Sequence, residues 1–292
     1  MEYVNFGKTG VTVSRLGFGG AVAGLKNYLY SYDPDTEEAK HSVHKALETA
    51  LELGVTYFDT APGYGEGRSE TMFGEVLSGV EPKKIFLATK CGAADYDGVR
   101  KSLETSLKRL KRDYVDLLQI HGNSYTDEQV EELLAHNGMV EAMEQLKKEG
   151  LVKFIGFTSE DNNRALFDLM NTRRFDAVQM CYNFIFQHGY EPSRPFGSLL
   201  AAEKNQLGIV TMRAPTSGTF QRWMKMIRPD DNFDWGPALV QFVLSNPYVD
   251  VVLAGMRNAE RVRQNVAIVD DKVGRVNLDE VHGRYVNEWG KP

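Results

Sequence analysis

Two hydrophobic periods alternate along the chain. Short runs rich in Val, Ile, Phe and Thr have the composition of strands. They occupy residues 15–19, 56–60, 85–89, 115–120, 154–158, 177–182, 209–213 and 249–255. Between them apolar residues recur at helical spacing. Ala39, Val43, Ala46, Leu47 and Ala50 share one face, as do Val99, Leu103, Leu107 and Leu110. Val130, Leu133, Leu134, Val140, Met143 and Leu146 predict one long helix, Ala165, Leu166, Leu169 and Met170 another, and Val262, Val266 and Val269 the last. Strict alternation of strand and helix means a parallel sheet, and eight such units predict a closed (β/α)8 barrel of the TIM type. The competing architecture, an open doubly wound sheet, would carry G-x-G-x-x-G between its first strand and helix. The run "GFGGAVAG" at residues 17–24 has the wrong spacing.

Two additions decorate the barrel pattern. "VNFGKTGVTV", within residues 2–13, predicts a β-hairpin that caps the barrel bottom, and Leu278 to Trp289 predict an extra C-terminal helix. No linker, repeat or low-complexity stretch interrupts the pattern, so residues 1–292 are expected to form one domain.

Composition narrows the function. With 42% hydrophobic and 25% charged residues the chain is globular, and its net charge of −6, evenly mixed, offers no basic patch for nucleic acid. No apolar run approaches the ~20 residues of a membrane span, and the N-terminus lacks the basic and apolar regions of a signal peptide. Cys91 and Cys181 stand alone in apolar strand-like runs. The expectation is a reduced, cytoplasmic protein without membrane partners.

Barrel chemistry gathers where strands end, at the C-terminal face. Read in that way, the second strand ends at Asp59, with Tyr64 in the glycine-rich turn beyond it; the third ends at Lys90 and the fourth at His121. The fifth ends at Thr158 and Ser159, the sixth carries Gln179, and the seventh ends at Arg213. Singly, each has a structural explanation: a capping acid, a snorkelling lysine, a packed loop tyrosine, a satisfied histidine. Four such groups on successive strand ends of one face point instead to a shared site. Asp59 would hold Lys90 charged, and the ammonium would lower the pKa of the Tyr64 phenol from ~10. Tyr64 could then protonate a carbonyl oxygen that His121 also hydrogen-bonds. The set offers no nucleophile and no metal ligands, so the electrons would come from a cofactor, as hydride from a nicotinamide. His41 and His44 lie at i, i+3 and read as an exposed helix face, and a metal-dependent barrel hydrolase would need more strand-end histidines and acids than His121 alone.

"GKTGVTVSRLGFGG", "FDTAPGYGEGRSETMFG", "ATKCG", "DLLQIHG", "VKFIGFTSE", "VQMCYN" and "AGMRNAERVRQN" follow one another in an order and spacing that resemble the aldo-keto reductases over nearly the whole chain. The resemblance implies a catalytic tetrad of Asp59, Tyr64, Lys90 and His121, and NADP(H), in preference to NAD(H), bound in an extended pose. It implies nicotinamide ligands at Thr158, Ser159 and Gln179, and an adenosine-phosphate pocket of Gly255, Met256, Arg257, Arg261, Gln264 and Asn265. Arg213 stands where the family carries an aromatic residue, and is expected to stack on the nicotinamide, to pair with phosphate, or to turn to a surface acid. The implied activity is reduction of a small aldehyde or ketone; the small Gly122 and Asn123 beside His121 suggest a polar, sugar-derived one. A cofactor-binding regulatory subunit with little turnover is the alternative that the same motifs allow.

Overall fold

The computed structural model describes residues 1–29, 31–92, 94–187 and 197–280. Two short strands, β1 (Tyr3–Asn5) and β2 (Thr12–Ser14), pair antiparallel as the expected hairpin. Eight parallel strands follow: β3 (Leu16–Gly19), β4 (Tyr57–Asp59), β5 (Phe86–Cys91), β6 (Val115–Ile120), β7 (Val152–Ser159), β8 (Ala177–Cys181), β9 (Gly208–Met212) and β10 (Val251–Gly255). Each pairs with the next, and β10 returns to β3, closing the barrel. All eight fall on the expected runs. The ends differ by a residue or so: β5 runs past Lys90 to Cys91, β6 stops before His121, and β9 stops before Arg213.

The helices are α1 (Ala21–Gly24), α2 (Glu37–Glu52), α3 (Arg68–Leu77), α4 (Tyr96–Leu110), α5 (Asp127–Leu134), α6 (Met139–Lys148), α7 (Arg164–Asn171), α8 (Ser198–Lys204), α9 (Thr219–Ile227), α10 (Trp235–Leu244) and α11 (Ala259–Asp270). The periodic faces read from the sequence are the buried faces of α2, α4, α7 and α11. The single long helix expected over residues 130–146 is two helices. Thr126 and Gln129 form a capping box that starts α5, and Asn137, at φ 59, with Gly138 breaks the run before α6. A left-handed Asn followed by Gly stops a helix whatever the apolar period says. The expected terminal helix over 278–289 falls, beyond residue 280, outside the described residues.

Period two along the strands separates two cores. Outward-facing residues such as Leu16, Phe18, Phe58, Leu118 and Ile155 join the helices in one cluster. Inward-facing Tyr57, Phe86, Ala88, Leu117, Ala177, Val210 and Val251 fill the barrel from within. The hairpin inserts Phe6 into that inner cluster, edge-on to Tyr57 (5.7 Å) and Phe86 (5.2 Å) between centroids. Gly208 makes room for it: a Cβ there would lie 2.5 Å from the Phe6 ring. At the same end, Asp116, Asp176 and Asp250 accept the backbone N–H groups of Leu87, Ile155 and Ile209, each tying a strand to its neighbour. The bottom is thus closed by packing, which leaves the opposite mouth for chemistry.

Phe6→Ala should remove about 3–5 kcal/mol of stability, read as a lower urea midpoint at unchanged slope. A loss under about 1 kcal/mol, the scale of an ordinary surface change, would show that the hairpin does not plug the barrel.

Candidate active site

The inward parity that buries Tyr57, Ala88, Leu117 and Ala177 continues two residues further to Asp59, Lys90, Gln119 and Gln179. Strand alternation therefore delivers an acid, an amine and two amides to the open end of the barrel. Lys90 and Asp59 are almost completely buried, at 1% exposure each, and Nζ lies 2.5 Å from Oδ1. Nζ also donates to the Thr60 carbonyl at 3.0 Å, and Gln119 Nε2 donates to the other Asp59 oxygen at 3.0 Å. A buried pair survives only when its remaining donors and lone pairs are met in this way.

Tyr64 stands above the ammonium, with Nζ 5.0 Å from its ring centroid, and the His121 ring meets it edge-on at 5.5 Å. The loop between β4 and α3 that carries Tyr64 is held by close backbone approach. A Cβ on Gly24 would lie 2.3 Å from the Tyr64 carbonyl, and Gly65, at φ 68, abuts the Gly24 carbonyl. Only glycine fits such contacts at positive φ. Ser69 then joins Thr60 Oγ1 (2.8 Å) to the Gly20 carbonyl (2.9 Å). Buried Glu70 accepts from Thr89 Oγ1 (2.7 Å) and Arg109 (3.1 Å). The serine and acid that follow the tyrosine turn are therefore anchors for it.

Electrostatics distinguish the four groups. Burial pulls the Lys90 amine down, but the Asp59 carboxylate and the Tyr64 phenol outweigh it and hold its pKa above the usual lysine value. Burial raises Asp59 against the pull of Lys90 and Gln119; an amine that keeps its proton at 2.5 Å nonetheless needs the carboxylate ionised. For Tyr64 the expectation from sequence is half met. Lys90 does lower its pKa, but burial is the larger influence and the net displacement is upward. The phenol therefore keeps its proton at neutral pH. Burial and the Lys90 charge together push His121 down from 6.5 to about 4, so its imidazole is neutral.

The other residues singled out by sequence divide into groups. Thr158 Oγ1 donates to the Gly122 carbonyl (2.6 Å) and accepts from the Gly122 N–H (3.0 Å), and Ser159 Oγ reaches the Asn123 carbonyl (3.3 Å). Both hydroxyls thus brace the turn that follows His121. Among the described residues Gln179 has only weak partners, Met212 Sδ at 3.6 Å and the Gln119 amide at 3.4 Å, and Gln119 Oε1 is buried without a hydrogen bond. These loosely met amides suit a carboxamide ligand such as nicotinamide. Arg213, at φ 61, turns to Glu160, 2.6 Å away, which is the surface-acid outcome.

The β10–α11 group lies apart at the rim. Gly255 is exposed, and Met256 is fully buried. Arg261 is exposed one turn into α11 and makes no ion pair among the described residues; its N–H is capped by Asn258 Oδ1 at 2.8 Å. Gln264 bonds Glu260 on the outer face, and Asn265 is buried. Arg257 Nη2 donates to the Tyr28 carbonyl at 2.7 Å, and its guanidinium stacks on the Tyr32 ring at 4.2 Å. Between this rim and the centre, β3 and β10 contribute Gly19 and Gly255 as paired residues on the inward parity. That side of the mouth is lined by backbone, so an extended ligand could pass from the amides to Arg261. The donor set and this glycine-lined side fit a dinucleotide. Gln119, Glu70 and Ser69 were missed by sequence reasoning; a polar residue on the inward parity of an apolar strand was the available signal for Gln119. Among the described residues no group of histidines, cysteines and acids could hold a metal, and no helix is long and apolar enough to cross a membrane.

The Aldo/keto reductase family model matches residues 15–240. The chain belongs to that family, and the membership supports an NAD(P)H-dependent oxidoreductase of small carbonyl compounds. It is similar to L-galactose dehydrogenase of Arabidopsis thaliana, 27% identical across 93% of this chain and 89% of that one. It is also similar to the NADH-specific methylglyoxal reductase of Escherichia coli (strain K12), 25% identical across 100% and 99%. An aldo-keto reductase from Klebsiella pneumoniae, solved in complex with NADPH, shares the fold at a TM-score of 0.72, with 21% identity over 100% of this chain and 96% of that one.

The His121 assignment has a measurable sign. Below pH 6.5 the unfolded chain binds a proton that the folded chain excludes until about pH 4. Stability should therefore fall as pH drops through that window, by at most about 3 kcal/mol, and by less to the extent that solvent screens this partly exposed ring. His121→Gln should flatten that slope. An NMR titration midpoint of His121 near 6.5 would contradict the neutral imidazole.

Proposed function

We propose that the chain is an NADPH-dependent carbonyl reductase in which Tyr64 is the general acid. The observation that carries the reading is the stack of buried Asp59 carboxylate, Lys90 ammonium and Tyr64 ring, with neutral His121 beside the same ring.

The cofactor, when bound, supplies the hydride that reaches the carbonyl carbon. Everything else falls to side chains. His121, neutral, donates a hydrogen bond to the carbonyl oxygen and fixes its position. Tyr64 gives its proton to that oxygen as negative charge grows there. The Lys90 ammonium, kept charged by Asp59, stabilises the phenolate that results, and solvent returns the proton. Gln179 is the proposed ligand of the carboxamide, with Thr158 and Ser159 shaping the adjoining wall, and Arg213 paired with Glu160 above it. Gly255, through its backbone, with Met256, Arg261, Gln264 and Asn265, makes the proposed adenosine-phosphate end.

The proposed substrate is a small polar aldehyde or ketone. The small Gly122 and Asn123 beside His121 support this, as do relatives whose names specify L-galactose and methylglyoxal. The same family includes an NADH-specific member, so preference for NADP(H) rests here on Arg261, whose exposed guanidinium can fork onto a 2′-phosphate.

Tyr64→Phe should abolish NADPH oxidation by an aldehyde panel while NADPH still binds in a fluorescence titration. Turnover within a fewfold of wild type would remove Tyr64 from the acid role, and a wild type that binds NADPH without oxidising it would favour the regulatory alternative. Arg261→Ala should erase most of a gap in affinity between NADPH and NADH of about ten- to a hundredfold, the scale of one charge-assisted pair. Equal wild-type affinity for the two would refute the assignment.

A further inference from the structure

Gln119 lies between the buried ion pair and the proposed carboxamide ligand. It is fully buried on β6, and its amide nitrogen donates to Asp59 Oδ2 at 3.0 Å and to Gln179 Oε1 at 3.4 Å. On β7, the strand between β6 and β8, the residue in register with Gln119 is Gly156, which puts no side chain between the two amides. A larger residue is excluded there, because a Cβ on Gly156 would lie 2.7 Å from the Ala177 carbonyl oxygen. We propose that Gln119 is a positioning residue that couples the Asp59 carboxylate to cofactor recognition, by fixing which way round Gln179 presents its amide to the nicotinamide carboxamide. The coupling rests on the cofactor reading above.

It follows from what each group can donate and accept. An ionised carboxylate only accepts, whereas a side-chain amide carries two donors on its nitrogen and an acceptor on its oxygen. Lys90 takes Asp59 Oδ1, so the Gln119 atom at Oδ2 must be nitrogen. The second N–H of that nitrogen is then left for Gln179. Nitrogen against nitrogen would oppose two donors, so Gln179 turns its oxygen towards Gln119, and its own nitrogen goes to Met212 Sδ at 3.6 Å. At 3.4 Å the link between the amides is long, and its effect is to select an orientation. An independent sign that the carboxylate governs this chain is the acceptor left over. Gln119 Oε1 is buried with no hydrogen bond among the described residues. An unmet buried acceptor is costly, and the amide tolerates it while its nitrogen stays on Asp59. Turned in this way, Gln179 Oε1 retains a second lone pair for a carboxamide N–H. Asp59 thus biases the cofactor site through two side chains, neither of which moves a proton.

The experiment measures dissociation constants by calorimetry for NADPH and for 2′-phospho-ADP-ribose, which lacks the nicotinamide. The proteins are wild type, Gln119→Met, Gln179→Met, the double variant and Asp59→Asn. Gln119→Met keeps the length of the side chain and removes the amide. It should weaken NADPH about three- to tenfold, the scale of one neutral hydrogen bond, and leave the fragment within about twofold. In the Gln179→Met background the same change should weaken NADPH no further, because Gln119 acts through Gln179. Asp59→Asn should also weaken NADPH and spare the fragment. With its oxygen held by Lys90, the new amide presents nitrogen to Gln119 and inverts both glutamines. That variant carries the test if Gln119→Met does not fold. Unchanged NADPH affinity in Gln119→Met beside a loss in Gln179→Met would overturn the coupling alone. An equal loss of fragment binding, the mark of a merely structural residue, would do the same, as would additive losses in the double variant. Unchanged NADPH affinity in Gln179→Met would sink the carboxamide assignment itself, and the coupling with it.

Discussion

The site depends on one buried ion pair. Lys90 and Asp59 sit 2.5 Å apart with almost no exposure. Taking two charges out of water costs several kcal/mol each, and their attraction offsets this only when every other donor and lone pair is met. Here Thr60 and Gln119 complete the set. The pair therefore constrains its surroundings: β4, β5 and β6 must keep their register to within a residue, because a slip of one would turn Asp59, Lys90 or Gln119 into the helical layer. The inner aromatic packing below, and Asp116 tying β5 to β6 at the bottom, hold that register. A layer of Tyr57, Ala88, Leu117 and Ala177 thus sits two residues below the polar layer and fixes it.

One ammonium acts on two neighbours in different ways. For His121 it adds to burial, and both keep the imidazole neutral. For Tyr64 it opposes burial, and burial is larger. The result is two neutral groups that each keep a proton at neutral pH. Had Tyr64 been more exposed, the same lysine would have pushed it toward a phenolate, which can donate nothing. Enclosure of the phenol is thus as necessary to a donor role as the charge that stabilises its conjugate base.

The strands, Asp59 and Lys90 were legible from sequence because they follow from period two, while His121 just past β6 and Tyr64 in the turn after β4 were legible from their place beyond strand ends. An apolar run announces a strand, and a charged residue ending it announces the open face. What was not legible depended on neighbours far along the chain. Gln119 is an unremarkable polar residue inside "DLLQIH" until β4 brings Asp59 beside it. Glu70 and Arg109 meet only because α3 packs on α4. The split of one expected helix into α5 and α6 was decided by a capping box and a left-handed Asn, local chemistry that an apolar period does not register. Arg213 had several possible partners in the sequence, and Glu160 at the end of the adjacent wall claims it.

The mouth of the barrel is asymmetric, and the asymmetry follows from where glycine falls. On β4, β5 and β6 the uppermost inward positions are Asp59, Lys90 and Gln119, and β8 carries Gln179 on the same parity; on β3 and β10 they are Gly19 and Gly255, paired in register. Side chains on one side would compete with any extended ligand, whereas the other side presents glycines, with Val22 packed against Gly255. The β3 glycines are not spare space below the mouth, since a Cβ on Gly17 would lie 2.8 Å from Val251 and 3.0 Å from Leu253. The glycine beneath the mouth is therefore required by packing. A larger residue at Gly19 or Gly255 would meet the Ala254 backbone or Val22 at close range before it met any ligand. Packing of the barrel and access to its polar centre thus constrain the same two strands.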